Sequence, residues 1–89
     1  MKSVRSVLLV HNEPEAFRGL EEVLRELEIR TSHAHECAEA RNILKGTYPV
    51  DAVLTDVALP DGTWKDVIRS ISKMAKETPV IVMSRVINL

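Results

Sequence analysis

The chain has 89 residues, of which 45% are hydrophobic and 28% charged, a composition that is ordinary for a globular protein and excludes a disordered or fibrous chain. Its length allows one domain with a single core. The 12 basic and 13 acidic residues are interspersed and give a formal net charge of −1, so there is no basic block with which to bind DNA or RNA. The single cysteine, Cys37, cannot form an internal disulfide.

No signal-peptide pattern and no apolar stretch of about 18 residues occurs in the sequence. These features predict a cytoplasmic chain with no membrane or nucleic-acid partner.

The first half of the chain alternates strand and helix patterns. Val7–Val10 is a short apolar run typical of a strand buried on both faces. Asn12 or Glu13 is a candidate helix cap before Pro14. Apolar residues then recur at three- and four-residue steps, which predicts an amphipathic helix: Ala16, Phe17, Leu20, Val23, Leu24 and Leu27. Residues 29–34 alternate more weakly and predict an edge strand.

The second half repeats the alternation. Residues 36–45 have helical spacing and are followed by Gly46, a candidate C-terminal cap. Residues 50–56 form a third apolar run that ends at Asp56, and residues 60–62 read as a tight turn. Apolar spacing from Val67 to Ala75 predicts a third helix, and residues 80–83 predict a fourth buried strand.

The order βαβαβαβ predicts an α/β fold, an open parallel sheet with helices on both faces. In such a sheet the carboxyl ends of the strands form the ligand-binding edge. His11, Asn12, Asp56 and Ser84 each follow or end one of these strands, so we expect them at one edge. A carboxylate with oxygen ligands and a hydroxyl nearby could hold a hard cation and accept a phosphoryl group.

Three segments resemble the receiver domain of two-component response regulators: Val7-Leu8-Leu9-Val10-His11-Asn12-Glu13-Pro14-Glu15, Leu54-Thr55-Asp56-Val57-Ala58-Leu59-Pro60-Asp61-Gly62 and Pro79-Val80-Ile81-Val82-Met83-Ser84. The resemblance runs over all 89 residues, as a single receiver-like domain (1–89). It implies a flavodoxin-like sheet of order 2-1-3-4.

By the same resemblance, Asp56 is the phosphoacceptor, Ser84 contacts the phosphoryl group and the Ala58 carbonyl is a ligand of Mg²⁺. The implied function is phosphorelay signal transduction. The domain accepts the phosphoryl group from a sensor histidine kinase or phosphotransfer protein and is not itself an enzyme.

The sequence departs from the family pattern in two places. Receivers carry two acidic residues where this chain has His11 and Asn12; Asn12 offers Mg²⁺ an oxygen, whereas His11 offers a nitrogen, which is a poorer match. The family also continues through a further helix, a fifth strand with a lysine and an aromatic residue, and a last helix. We therefore expect a domain that is incomplete at its C-terminus, with Phe17 or Leu24 exposed and an open sheet edge that is closed by homodimerisation.

Three alternatives remain open from the residues. The chain could be a degenerate receiver that serves only as an interaction or dimerisation module. His11 with Asp56 could bind zinc, a weaker hypothesis motivated by the substitution itself. His33, His35 and Cys37 could ligate a soft metal, although surface histidines and a core thiol are the favoured interpretation.

Overall fold

The computed structural model describes residues 4–74 and 76–83. Within them the chain alternates strands and helices, as the apolar patterns predict. The elements are β1 (Ser6–Val10), a 3-10 helix (Pro14–Phe17), α1 (Arg18–Glu26), β2 (Arg30–Ala34), α2 (Cys37–Lys45), β3 (Ala52–Asp56), β4 (Ala58–Leu59), β5 (Gly62–Thr63), α3 (Trp64–Lys73) and β6 (Val80–Met83).

Four strands form one parallel sheet in the order β2-β1-β3-β6. In register, Leu9 lies opposite His33 on one side and Leu54 on the other, and Leu54 lies opposite Ile81. The predicted order 2-1-3-4 is confirmed, with β6 as the fourth strand of the sheet. The predicted burial of this strand is wrong: it ends the described sheet, and Ile81 and Val82 are 51% and 37% exposed. The strands β4 and β5 form a separate antiparallel hairpin.

Side chains of β1 alternate between two cores on opposite faces of the sheet, because successive strand residues point to opposite faces. Leu8 and Val10 pack in a core with α2 and α3. Val7 and Leu9 pack in a second core, where α1 contributes Leu24. α1 therefore covers one face of the sheet, and α2 and α3 cover the other.

The start of the first helix differs from the prediction. The chain enters it through the 3-10 helix, and the residue at the cap position, Glu13, makes no side-chain capping hydrogen bond. The end of α1 is closed by Glu28 in the left-handed region, at φ 59°. There the Ile29 N–H donates to the Leu24 carbonyl (2.8 Å) and the Glu28 N–H to the Arg25 carbonyl (3.0 Å).

The expected exposure of Phe17 and Leu24 is wrong: they are only 2% and 8% exposed. Instead, Val23 and Leu27 are 51% and 64% exposed. The apolar positions of this helix span an arc wider than the sheet can cover, so the residues at the edge of the arc remain in solvent. The third helix ends at Lys73, and Ala75 lies outside the described residues.

Candidate functional site

The carboxyl edge of the sheet brings together two of the predicted site residues. Asp56 ends β3 and is 4% exposed. Its Oδ1 accepts a hydrogen bond from the Val57 N–H at 3.0 Å. His11 follows β1 and is 2% exposed, whereas the next residue, Asn12, is exposed. The fourth candidate, Ser84, lies outside the described residues.

The segment after Asp56 is held by a short hairpin. Ala58 in β4 pairs with Thr63 in β5, and the Trp64 N–H donates to the Val57 carbonyl at 3.2 Å. Directly behind the hairpin, α3 begins with a capping box between Thr63 and Asp66. The backbone of Ala58 is therefore fixed beside Asp56 by hydrogen bonds on both sides of the turn.

Asp61, at the tip of this hairpin, links it to α2. Its two carboxylate oxygens accept from the N–H groups of Cys37 (2.6 Å) and Ala38 (3.0 Å), the first residues of α2. Glu36, the N-cap residue of that helix, makes no side-chain capping bond. The hydrogen bond from the Cys37 N–H is the main reason why the pKa of Asp61 lies below its ordinary value. Asp61 thus caps α2 from a distant loop.

His11 belongs to a chain of polar side chains that leads from β1 to α1. Its Nε2 lies 3.1 Å from Nδ1 of His33, and Nε2 of His33 lies 2.9 Å from Oε1 of Glu21. The carboxylate can only accept, so Nε2–H of His33 donates to it. With both rings neutral, Nε2–H of His11 then donates to His33, and Nδ1 of His11 carries the lone pair.

The surroundings of His11 favour a neutral ring. Burial is the largest cause that lowers its pKa, followed by the proximity of His33 and His35. The ring stacks on Phe17 with centroids 4.6 Å apart. Among the described residues, its Nδ1 forms no hydrogen bond of good geometry, and the nearby Glu13 backbone and the charge of Glu21 raise the pKa without outweighing burial. His11 therefore packs between the 3-10 helix and β2, and it occupies one of the two positions at which receivers carry a carboxylate.

The oxygen donors at this edge suit a hard cation. They are the Asp56 carboxylate, the amide of Asn12 and the backbone carbonyl of Ala58, and Mg²⁺ is commonly held by one or two carboxylates while it keeps several water ligands. Nε2 of His11 is occupied by its contact with His33. The donor set therefore fits Mg²⁺ with a single carboxylate.

The soft-metal alternative finds little support. Burial, assisted by Asp61, raises the pKa of the Cys37 thiol to about 11, so the thiol is protonated at neutral pH. His33 is bonded to His11 and Glu21, while His35 lies 3.6 Å from Glu39. Within residues 4–74 and 76–83, no group of three or more His, Cys, Asp or Glu side chains is arranged to hold a metal ion.

Sequence reasoning missed the roles of His33, Glu21 and Asp61. The contact between His11 and His33 depends on the register of β1 with β2, in which Leu9 lies opposite His33. A sequence does not specify that register by itself. For Asp61, the Pro60-Asp61-Gly62 segment signals a turn but does not reveal which helix the carboxylate caps.

The sheet is parallel and covered on both faces, and the buried Asp56 lies at the carboxyl end of its third strand. These features define an open α/β domain with a carboxylate at its ligand-binding edge. The family described as "Response regulator receiver domain" matches residues 7–88. The chain therefore belongs to the response regulator receiver family.

Comparison with known proteins agrees with this assignment. The response regulator protein PilR of Pseudomonas aeruginosa is 34% identical over 82 residues, which are 92% of this chain and 18% of PilR. The receiver domain of HemR from Leptospira biflexa is 31% identical with a TM-score of 0.75, over 88% of this chain and 62% of that one. The chain thus spans less than a fifth of PilR and under two thirds of the HemR domain.

A third relative bears on the metal. The receiver domain of the sensor histidine kinase PA1611 from P. aeruginosa PAO1, whose structure has a magnesium ion coordinated in the active-site cleft, is 26% identical with a TM-score of 0.75. The match covers 92% of this chain and 68% of that domain. In the described part of the present chain, no helix has the length and apolar character needed to cross a membrane.

Proposed function

We propose that Asp56 accepts a phosphoryl group from a phosphohistidine of a sensor histidine kinase or phosphotransfer protein. The observation that carries the proposal is the position of this carboxylate: it is nearly buried, it ends β3 at the carboxyl edge of the sheet, and it lies in the receiver-like segment of a chain that belongs to the family. In this role the domain is a phosphoacceptor and not an enzyme that turns over a substrate.

The chemistry is an in-line transfer. One carboxylate oxygen of Asp56 attacks phosphorus, while the Val57 N–H, which donates to Oδ1, orients the carboxylate. A bond forms between that oxygen and phosphorus while the bond between phosphorus and the donor imidazole breaks. The imidazole leaves with that electron pair and takes up a proton, and Asp56 becomes an acyl phosphate.

The proposed metal ligands are Asp56, the Asn12 amide oxygen and the Ala58 carbonyl, with Ser84 as the hydroxyl that contacts the phosphoryl group. Bound Mg²⁺ would offset negative charge on the phosphoryl oxygens. The hairpin bonds of Val57 and Trp64 hold the Ala58 backbone in place before the donor arrives. With nitrogen at His11 in place of a carboxylate, we expect weaker Mg²⁺ binding than a site with two further acidic residues provides.

Intact mass spectrometry tests the proposal. The chain is incubated with a small-molecule phosphodonor and Mg²⁺, beside Asp56→Asn and, as a matched control in the same loop, Asp61→Asn. A gain of one phosphoryl group in the parent chain and in Asp61→Asn, but not in Asp56→Asn, is the expected result. Equal labelling of Asp56→Asn, or no labelling of the folded parent chain, would contradict it.

A second function, a phosphorylation-independent interaction module, is favoured by one observation: His11 is tied to His33 and Glu21 where receivers carry a carboxylate. A His11→Asp variant separates the two functions. If only this variant gains a phosphoryl group, the parent chain is the interaction module and position 11 is the cause. If both gain it, the phosphoacceptor function stands.

We further propose that the chain is cytoplasmic, where kinase partners are phosphorylated from ATP.

We also propose that the chain forms a homodimer through β6. This strand ends the described sheet, and its Ile81 and Val82 are 51% and 37% exposed. Such edges pair with other chains unless a charge or another element blocks them. Sedimentation equilibrium should show a dimer that Ile81→Lys weakens, whereas a monomer over the whole concentration range would contradict pairing.

A further inference from the structure

A groove of about 510 Å³ lies between α2 and α3, on the face of the sheet opposite α1. Four cations line it, in two pairs spaced one helical turn apart: Arg41 and Lys45 on α2, and Arg69 and Lys73 on α3. All four side chains are exposed. Met74 and Cys37 add apolar surface. We call this feature the cationic groove.

The two carboxylates of the cationic groove are already engaged. Asp61 accepts from the first N–H groups of α2. Asp66 accepts from the Thr63 N–H at 2.8 Å and lies 3.3 Å from Arg69. In residues 4–74 and 76–83, Arg41, Lys45 and Lys73 form no ion pair with a carboxylate.

Helix dipoles explain part of this charge, because Lys45 and Lys73 lie in the last turns of their helices. They do not explain Arg41, which lies one turn earlier. The cationic groove therefore has an excess of positive charge that its own side chains leave uncompensated.

The chain itself presents a complementary surface on α1. At 100° per residue, Glu22 and Glu26 lie one turn apart near the centre of the exposed arc of this helix. The exposed Arg18 and Arg25 lie on the other side of Glu22, so only the side of the arc towards Val23 and Leu27 is acidic and apolar. Val23 and Leu27 form an exposed apolar row beside them. Gly19 continues that row without a side chain, so a partner can approach closely.

We propose that α1 of a second copy of this chain docks in the cationic groove. Glu22 and Glu26 have the same one-turn spacing as Arg41 and Lys45, so the two pairs can meet side by side, with Val23 and Leu27 facing Met74. The contact must be between molecules, because α1 and the cationic groove lie on opposite faces of one sheet. An acidic helix of another protein is the competing occupant of the cationic groove, and charge-reversal variants of this chain distinguish the two occupants.

This contact differs from pairing at the β6 edge. It joins two different surfaces, so each complex keeps one free α1 and one free cationic groove to which further copies can add. It is also built from exposed charges, which salt screens, whereas edge pairing relies on backbone hydrogen bonds. We therefore expect a component of self-association that falls steeply as salt rises.

Charge reversal tests the docking. The groove variant is Arg41→Glu/Lys45→Glu and the helix variant is Glu22→Lys/Glu26→Lys. Because all four positions are exposed, circular dichroism should show that both variants are folded. Each should weaken low-salt association in sedimentation equilibrium by at least about tenfold. The chain that carries all four substitutions keeps the formal net charge of −1 and should recover association, because the two charge patterns are exchanged.

Arg30→Glu/Lys65→Glu is the matched control, since it changes the net charge as the groove variant does at exposed sites outside the cationic groove. It should associate nearly as the parent chain does. Equal losses in this control, or no recovery in the fourfold variant, would overturn the proposal. A parent chain whose association ignores salt and these substitutions would also overturn it and leave the cationic groove to an acidic helix of another protein.

Discussion

The carboxylate of Asp61 offers the sharpest test of how the loop after Asp56 is held. Asp61→Ala removes two hydrogen bonds to the start of α2, from Cys37 (2.6 Å) and Ala38 (3.0 Å). Loss of a helix cap costs about 1 kcal/mol, and loss of a negative charge at a helix N-terminus about 0.3–1 kcal/mol more. Because Asp61 is exposed, its charge contributes at the low end of the 0.3–1 kcal/mol range. We therefore expect Asp61→Ala to lower the free energy of unfolding by about 1–1.5 kcal/mol at pH 7.

The pH dependence separates the charge from the hydrogen bonds. The pKa of Asp61 is lowered from 3.8 in the folded chain, so its carboxylate stabilises the fold fully above pH 3.8 and loses this effect as the pH falls through the folded pKa. Asp61→Asn keeps an acceptor but has no charge to titrate. The stability difference between the parent chain and Asp61→Asn should therefore be largest near neutral pH and shrink below pH 3.8.

Urea unfolding followed by circular dichroism, at pH 7 and through the acid range, measures both effects. A melting temperature offers a second readout, since 1 kcal/mol corresponds to about 4–8 °C in a domain of this size. The reasoning is refuted if Asp61→Ala is as stable as the parent chain at pH 7. It is also refuted if the difference between the parent chain and Asp61→Asn does not change with pH.

Three glycine-related substitutions, at positions 28, 62 and 19, test the backbone. Glu28→Gly should raise the free energy of unfolding by about 1 kcal/mol, because Glu28 holds φ at 59°, a conformation that strains every residue except glycine. Glu28→Ala keeps the same backbone strain and should bring no such gain in the same urea titration. Gly62→Ala should cost about 1–3 kcal/mol, since its Cβ would lie 3.1 Å from Sγ of Cys37 and within contact of Asp66, which the capping box holds in place. Gly19→Ala places nothing within 4 Å of the added carbon, so it should instead raise the free energy of unfolding by about 0.5–1 kcal/mol. An equal change in stability at Gly19 and Gly62 would contradict the steric argument.

The sheet could be predicted from the sequence because its central strands are apolar on both faces. Val7–Val10 and the run that ends at Asp56 admit few other structures, and β1 and β3 are indeed almost fully buried. The sequence predicts only a turn where the hairpin β4–β5 lies, because two residues per strand give no periodicity. A sequence pattern thus predicts a helix or strand that is long enough for its buried residues to recur at regular spacing.

The candidate site was only partly predictable. The segment around Asp56 predicts its position at the candidate site. The position and hydrogen bonding of His11, however, depend on contacts with His33, 22 residues away, and with Phe17 across a turn. The exposure of Val23 and Leu27 likewise follows from how α1 is rotated against the sheet, which an apolar arc of that width leaves undetermined. Tertiary packing, and not local propensity, decides these features.

The central claim is that Asp56 accepts a phosphoryl group, and beryllofluoride, a mimic of that group, tests it without a kinase. Two-dimensional ¹H–¹⁵N NMR spectra are recorded with and without beryllofluoride and Mg²⁺. We predict that the amide signals of Val57 and Ala58 shift in the parent chain and stay unchanged in Asp56→Asn. An unchanged spectrum of the folded parent chain at saturating Mg²⁺ would contradict the claim.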